Sequence, residues 1–295
     1  IDNYADTITY NIMYSVNSEK PLESLIISPF YSDNVNTEYQ MISILRERIE
    51  EEKEPDTMYD RYWHGMQMVL RVLFVFFEIK QIRIGMNIVL SGLLLALMIS
   101  LWKKRQKILS LSMGIAAIMV AYPMLGMCME YVPTFLIMLI ISFGCIKYYD
   151  DRNKVIHLLL ISGMCCGFFD ILTTETVAVT IPLAIVMCLR EKKEGMDNFW
   201  KEILFIVVSG FVWGLGYLAV FVGKWLFSSL CLGRNRFETA ISMMVYRQGA
   251  QVALEDSSGM SQPMEALAKN IRLLVGFPLD MELRNVLMVL AAILG

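Results

Sequence analysis

Apolar residues in this chain fall in long runs separated by short polar loops. Six runs are complete, at about residues 84–102, 108–124, 132–147, 155–171, 176–189 and 202–222, and a seventh begins near 283. A helix needs ~20 mostly apolar residues to cross a bilayer, with slack at its ends. Backbone groups in lipid have to bond within the segment, so the runs predict helices. The expected fold is all-α: a polytopic transmembrane bundle with amphipathic helices outside it. The shortest run holds Pro182, which removes a backbone donor and predicts a bend or tilt.

The short loops set the orientation. "WKKRQK", "KYYDDRNK" and "REKKEGMDNFWK" follow the first, third and fifth runs and hold Lys103, Lys104, Arg105, Lys107, Lys147, Arg152, Lys154, Arg190, Lys192, Lys193 and Lys201. The alternate loops, "LGMCMEY" and "DILTTE", hold no Lys or Arg and carry Glu130, Asp170 and Glu175. Short loops rich in Lys and Arg stay in the cytoplasm. Residues 1–83 and 223–282 are therefore expected outside it, with the six spans in 84–222 and a truncated helix in 283–295. The chain starts at Ile1 and stops within "NVLMVLAAILG". It reads as a fragment, with a further span expected just upstream of Ile1.

The outer segments also have periodicity. "DNYADTITYNIMYSV" places Tyr4, Ile8, Ile12 and Met13 on one helical side. "EYQMISILRERIEEEKE" predicts a charged amphipathic helix over 38–54, stopped by Pro55. Residues 66–79 are apolar except Gln67, Arg71 and Glu78, too short to span, and predict an interfacial or re-entrant helix. "EIKQIR" reads as a polar bend into the first span. Residues 233–275 predict two more amphipathic helices.

Composition agrees with a membrane location. The chain is 56% hydrophobic, with a mean hydropathy of +0.51. A net charge of −3 gives no reason to expect a nucleic-acid partner. The six cysteines lie mostly in or beside apolar runs, where cysteine packs as a small hydrophobe. They make no CxxC pair and no zinc spacing. No P-loop, GxSxG or HExxH motif occurs. No cofactor is implied, and a divalent metal has no ligand set to support it.

On this topology the polar groups collect on the outer face: Asp2 and Asp6; Asp60, Arg61 and His64 in "YDRYWHG"; Glu130; Asp170, Thr173, Thr174 and Glu175; Arg234 and Arg236. Arg83 stands at the outer mouth of the first span. Asp2 and Asp6 share a helical face at i, i+4, and so do Asp60 and His64 if their segment is helical. Each has a bland reading. The aspartates suit a helix N-terminus. Tyr59, Tyr62 and Trp63 suit an aromatic belt with wetted polar neighbours. Asp170 suits an interface anchor, and the arginines suit headgroup anchors.

The order of parts resembles the GT-C class of integral membrane glycosyltransferases. An acidic outer segment, "IDNYADTITYN", is followed by an outer stretch ending in histidine before a short interfacial helix, "WHGMQMVLRVLFVFF". Then come "EIKQIRIGMN", a span and a basic inner loop. The resemblance covers about residues 1–107 in layout, plus the helical hairpins beyond. Met66 stands where the family often has proline. The chain also looks like a group of bacterial multi-spanning proteins with a similar "RYWHG" and "FDILTT" pair, which implies a bacterial plasma membrane. The resemblance implies a polyprenyl-phosphate sugar donor at the outer face, in envelope glycan or glycolipid assembly. It implies Asp2 or Asp6 as general base and His64 as a proton-exchanging or phosphate-binding group. Asp60, Arg61, Arg83, Asp170, Arg234 and Arg236 are the implied substrate contacts. The competing class is non-enzymatic: a transporter, a flippase-like protein or a structural membrane component.

Overall fold

Each of the six apolar runs is helical in the computed structural model, which describes residues 4–32, 41–60, 62–169, 173–194, 199–233, 235 and 237. The predicted helices of 233–275 and the seventh apolar run lie outside the described residues, apart from single positions.

The N-terminal layer is built from α1 (Tyr4–Tyr14), α2 (Pro21–Ile27), β1 (Pro29–Phe30), α3 (Met41–Glu50), β2 (Thr57–Met58) and α4 (Met66–Phe74). The two strands pair antiparallel, Pro29 opposite Met58 and Phe30 opposite Thr57. A small core of Ile12, Phe30, Tyr31 and Ile44 lies beneath them. Asn11 pins α1 to this layer by bonding both backbone groups of Tyr31: its Nδ2 donates to the carbonyl at 2.8 Å, and its Oδ1 accepts from the amide at 3.0 Å. Helix α1 matches the predicted periodicity, but its buried face is mixed. Asp6, Thr7, Thr9 and Asn11 are buried with Ile12, while Tyr4 is exposed. Polar pairing, rather than an apolar stripe, seats this helix.

The helices that follow are α5 (Ile79–Lys103), α6 (Lys107–Met119), α7 (Val132–Tyr148), α8 (Arg152–Phe169), α9 (Val177–Glu194) and α10 (Phe199–Leu232). A 3-10 turn, Tyr122–Met127, lies between α6 and α7. Leu90, Leu97 and Leu101 of α5, Leu139 of α7, Leu159 of α8 and Ile185 of α9 are almost fully buried between them.

Several helix ends differ from the hydropathy reading. "EIKQIR" is no bend: it forms the first turn of α5, where Gln81 reaches back to accept the Glu78 amide at 2.9 Å. Helix α4 accordingly stops at Phe74. Helix α6 ends at Met119, with Ala121 in the left-handed region at φ 49° and Pro123 just beyond. Helix α9 runs straight through Pro182 and into the expected basic loop. There Arg190 is buried, donates Nε to the Tyr149 carbonyl at 2.7 Å, and faces Glu202 at 3.5 Å, which also pairs with Arg152. Helix α10 continues ten residues past the predicted end.

Among the described residues, two helices are long and apolar enough to cross a membrane, α5 and α10. Only 22% of the most apolar window of each is buried. Such a helix in the core of a water-soluble protein would be covered. Helix α6 adds an uncovered flank at Ile108, Ile115, Ile118 and Met119. These surfaces fit lipid rather than water.

Helices α8 and α10 make the closest packing, and glycine permits it. A Cβ placed on Gly163 would lie 2.1 Å from the Trp213 carbonyl oxygen, one on Gly216 2.5 Å from that of Leu160, and one on Gly167 2.9 Å from that of Tyr217. Gly163 and Gly167 are spaced i, i+4, the small-xxx-small pattern that lets apolar helices approach backbone to backbone. Gly163→Ala is expected to destabilise the protein in detergent by about 1–3 kcal/mol, the usual cost of overpacking. Gly214→Ala, where a Cβ meets nothing within 4 Å, should stay within about 0.5 kcal/mol of wild type. Thermal unfolding of the two variants checks the contrast.

Candidate functional site

The described residues of "YDRYWHG" between β2 and α4 are turn, bend or irregular, not helix, so Asp60 and His64 do not share a side by helical spacing. His64 takes φ 52°, in a left-handed region that histidine visits more readily than most residues. This kink points the next amide at the bundle. The Gly65 N–H donates to the Phe168 carbonyl at 2.9 Å. A Cβ on Gly65 would strike the Phe168 ring at 2.5 Å and that carbonyl oxygen at 2.7 Å. Glycine is required here by close approach.

Trp63 docks the same segment onto α10. Its Nε1 donates to the Val220 carbonyl at 2.9 Å, and its ring packs on Phe168 and Phe227. Tyr62 packs edge-on against Phe221. The aromatics therefore face protein and do not form a free collar. His64 is buried, with Nε2 3.2 Å from the Tyr59 carbonyl and its ring beside Tyr59 and Tyr62. Asp60 is buried as well. Asp60 and His64 are enclosed, not wetted.

Lys224 holds this region together and was not among the expected residues. It lies on the extension of α10 and is 0% exposed. Its Nζ donates to the carbonyls of Leu25 at 3.1 Å and Ile26 at 2.8 Å. These belong to the last turn of α2, where carbonyls lack helical partners and the helix dipole favours a cation. The ammonium also sits 4.8 Å from the centre of the Trp63 ring, and Asp60 acts on it electrostatically. A lone lysine inside "VFVGKWLF" was a legible signal. Hydropathy alone ends the helix at 222 and puts Lys224 in a loop, whereas α10 runs to Leu232.

A second cluster forms where α1 meets the start of α5. Asp6 accepts from Arg83 Nη2 at 2.8 Å, with the Asp6 side chain 1% exposed and that of Arg83 20%. Burial pushes the Asp6 carboxyl above the ordinary 3.8. Arg83 opposes that rise, as do the backbone amides of Met129 and Glu130, without cancelling it. Tyr10 lies against both charges, and burial raises its phenol too. Asp6, Tyr10 and Arg83 thus form one small polar cluster between α1 and α5.

Tyr10 also lines a groove of about 520 Å³ between α1, α3, α4 and the start of α5. Met13, Leu45, Phe74 and Ile79 give it apolar walls, and Arg71 adds a cation. Ile79 and Arg83, at i, i+4, share a face of α5, so the ion pair lies one helical turn from the groove wall.

Of the expected site residues, Asp6 and Arg83 are brought together. Asp60 and His64 belong to the Trp63–Lys224 cluster. Asp2, Arg61, Asp170, Arg234 and Arg236 lie outside the described residues. Among the described residues no group of three His, Cys, Asp or Glu side chains is placed to hold a metal ion. Comparison with protein-family models, with curated proteins and with solved structures finds no match.

Hydrogen bonds to a charged partner contribute roughly 1.5–3 kcal/mol each. Lys224→Met is therefore expected to accelerate amide exchange across residues 21–30 about ten-fold or more, while exchange within α7 stays unchanged. Hydrogen-exchange mass spectrometry of both proteins in detergent reads this directly.

Proposed function

We propose that this chain is a polytopic membrane glycosyltransferase-like protein of GT-C architecture, taking a polyprenyl-phosphate sugar at the extracytoplasmic face. The observation that carries the reading is the buried Asp6–Arg83 pair beside an apolar groove, at the end of α5 that basic-loop topology assigns to the outside. Helices α5–α10 are the six spans. At 34 residues and 1.5 Å per residue, α10 is about 51 Å long. The hydrocarbon core is ~30 Å thick, so the Lys224 end of α10 extends out of it to carry the outer layer.

In this mechanism the groove takes the start of the prenyl chain, and Arg83 and Arg71 meet its phosphate. Arginine suits that role by offering several fixed donors to phosphate oxygens. The acceptor hydroxyl attacks the anomeric carbon while its proton passes to the Asp6 carboxylate. The bond from that carbon to the phosphate oxygen breaks, and its electron pair leaves with the prenyl phosphate. A carboxylate raised by burial is a better base than a solvated one. His64 is held by a backbone carbonyl and two rings, and serves to position the outer segment.

A transporter or flippase reading draws on one observation: α6 stops after 13 residues and continues as a 3-10 turn. Broken helices line transport sites. Flip of a fluorescent prenyl phosphate in proteoliposomes, without sugar transfer, would favour that class.

The deciding assay uses the full chain in nanodiscs with radiolabelled polyprenyl-phosphate sugars. Asp6→Asn should lower transfer about 10²–10⁴-fold, the usual contribution of a positioned base. His64→Asn should cost less than about ten-fold. Base action requires the unprotonated carboxylate. Activity should therefore rise with pH through a midpoint above 3.8, the direction in which burial moves Asp6, and Asp6→Asn should flatten that acid limb. Unchanged transfer in Asp6→Asn would remove Asp6 from the mechanism.

A further inference from the structure

We propose that Arg83 is shared: a phosphate anion arriving at the groove takes the guanidinium away from Asp6, so that the base is released only when ligand is bound. This rests on the glycosyltransferase reading for its use, but not for its geometry.

The pair has the features of a switch. A single contact, Nη2 to Oδ2 at 2.8 Å, joins the ions, and the Arg83 side chain keeps 20% exposure where that of Asp6 keeps 1%, so the guanidinium is the partner that a ligand can reach. Arginine carries five N–H donors, and one of them is committed to Asp6. Tyr10, which lies against both charges, also lines the groove.

Phosphate has the stronger claim on the guanidinium. Its non-bridging oxygens accept two parallel N–H bonds from arginine, where Asp6 accepts one. Once Arg83 turns to it, Asp6 keeps only the Met129 and Glu130 amides against burial. The groups facing it are then Tyr10 from α1, the Glu130 backbone before α7, and an arginine neutralised by phosphate. Its affinity for a proton rises at the moment an acceptor proton is to be received. Without ligand, Arg83 holds the carboxylate in its ionised, paired form.

The test is calorimetric and needs no turnover. Geranylgeranyl phosphate and inorganic phosphate are titrated into the full chain in nanodiscs, in buffers of different ionisation enthalpy, for wild type and Asp6→Asn. The phosphate's own ionisation is common to both proteins, so the difference in proton uptake belongs to Asp6. Wild type is expected to take up more protons than Asp6→Asn. Asp6→Asn should bind geranylgeranyl phosphate at least about 5-fold tighter, since the competitor for Arg83 is gone. Arg83→Lys, which keeps the charge and loses the fork, should bind it at least about 10-fold more weakly at unchanged melting temperature.

Equal proton uptake in wild type and Asp6→Asn, weaker binding by Asp6→Asn, or no binding by wild type would each overturn the proposal. Stronger binding of the prenyl compound than of inorganic phosphate assigns the anion to a lipid; equal binding overturns that source. Proton linkage without sugar transfer would overturn the enzyme reading alone. Transfer without proton linkage would overturn this inference alone.

Discussion

The outer layer of this protein depends on a backbone-to-backbone contact between α8 and α10. Gly163, Gly167 and Gly216 leave no room for even one methyl group. In apolar surroundings no hydrophobic drive joins two helices, so dispersion at close range has to do it. Once the two helices are locked, their outer ends form a fixed platform. Phe168 supplies a carbonyl and a ring. Val220, Phe221, Lys224 and Phe227 supply an acceptor, two rings and a cation. The "YDRYWHG" segment is set upon that platform by Gly65, Trp63 and Tyr62. Its left-handed His64 is held in place by the contacts on either side. A wider helix crossing would remove the Gly65–Phe168 hydrogen bond and the Trp63 contacts together.

From that platform the order passes outward through polar links rather than an apolar core. Lys224 ties the end of α2 to α10. Asn11 ties α1 to β1, and β1 is paired with β2, which leads back into "YDRYWHG". Arg83 ties α1 to α5. The outer layer has only a small apolar cluster of its own, so these few directional contacts set its geometry. The consequence for function is that Asp6 and the groove are positioned by two independent anchors, one on α10 and one on α5.

The six helices were legible because a run of apolar residues answers one physical question: which backbone can lose water. Their ends were not, because hydropathy does not report where hydrogen bonding stops. Helix α5 starts early because Gln81 accepts the Glu78 amide. Helix α10 runs on because Lys224 finds carbonyl partners in a segment nearly two hundred residues away in sequence. Helix α9 runs on because Arg190, counted as a loop cation, is paired with Glu202. Asp6 stood out as an acid on an outer helix. Its pairing with Arg83, and the polar buried face of α1, follow from tertiary packing that no local window contains. The Gly163–Gly167 spacing was present in the sequence and would have named the α8 contact face. The helical spacing argument for Asp60 and His64 failed because the Gly65–Phe168 contact imposes a kink.

The Lys224 and Arg83 sites differ in a way that separates structure from chemistry. Lys224 has two carbonyl acceptors, an aromatic face and a nearby carboxylate, and its ammonium is satisfied in place. An ion so completely solvated by protein has nothing left to offer a ligand, and moving it would strand the carbonyls of α2. Arg83 and Asp6 share a single hydrogen bond, with Tyr10 against both. Arg83 is also partly exposed, whereas Lys224 is not. A partly exposed cation joined to its carboxylate by one hydrogen bond, one helical turn from an open groove, is therefore the feature on which the proposed ligand site at the α1–α5 junction rests.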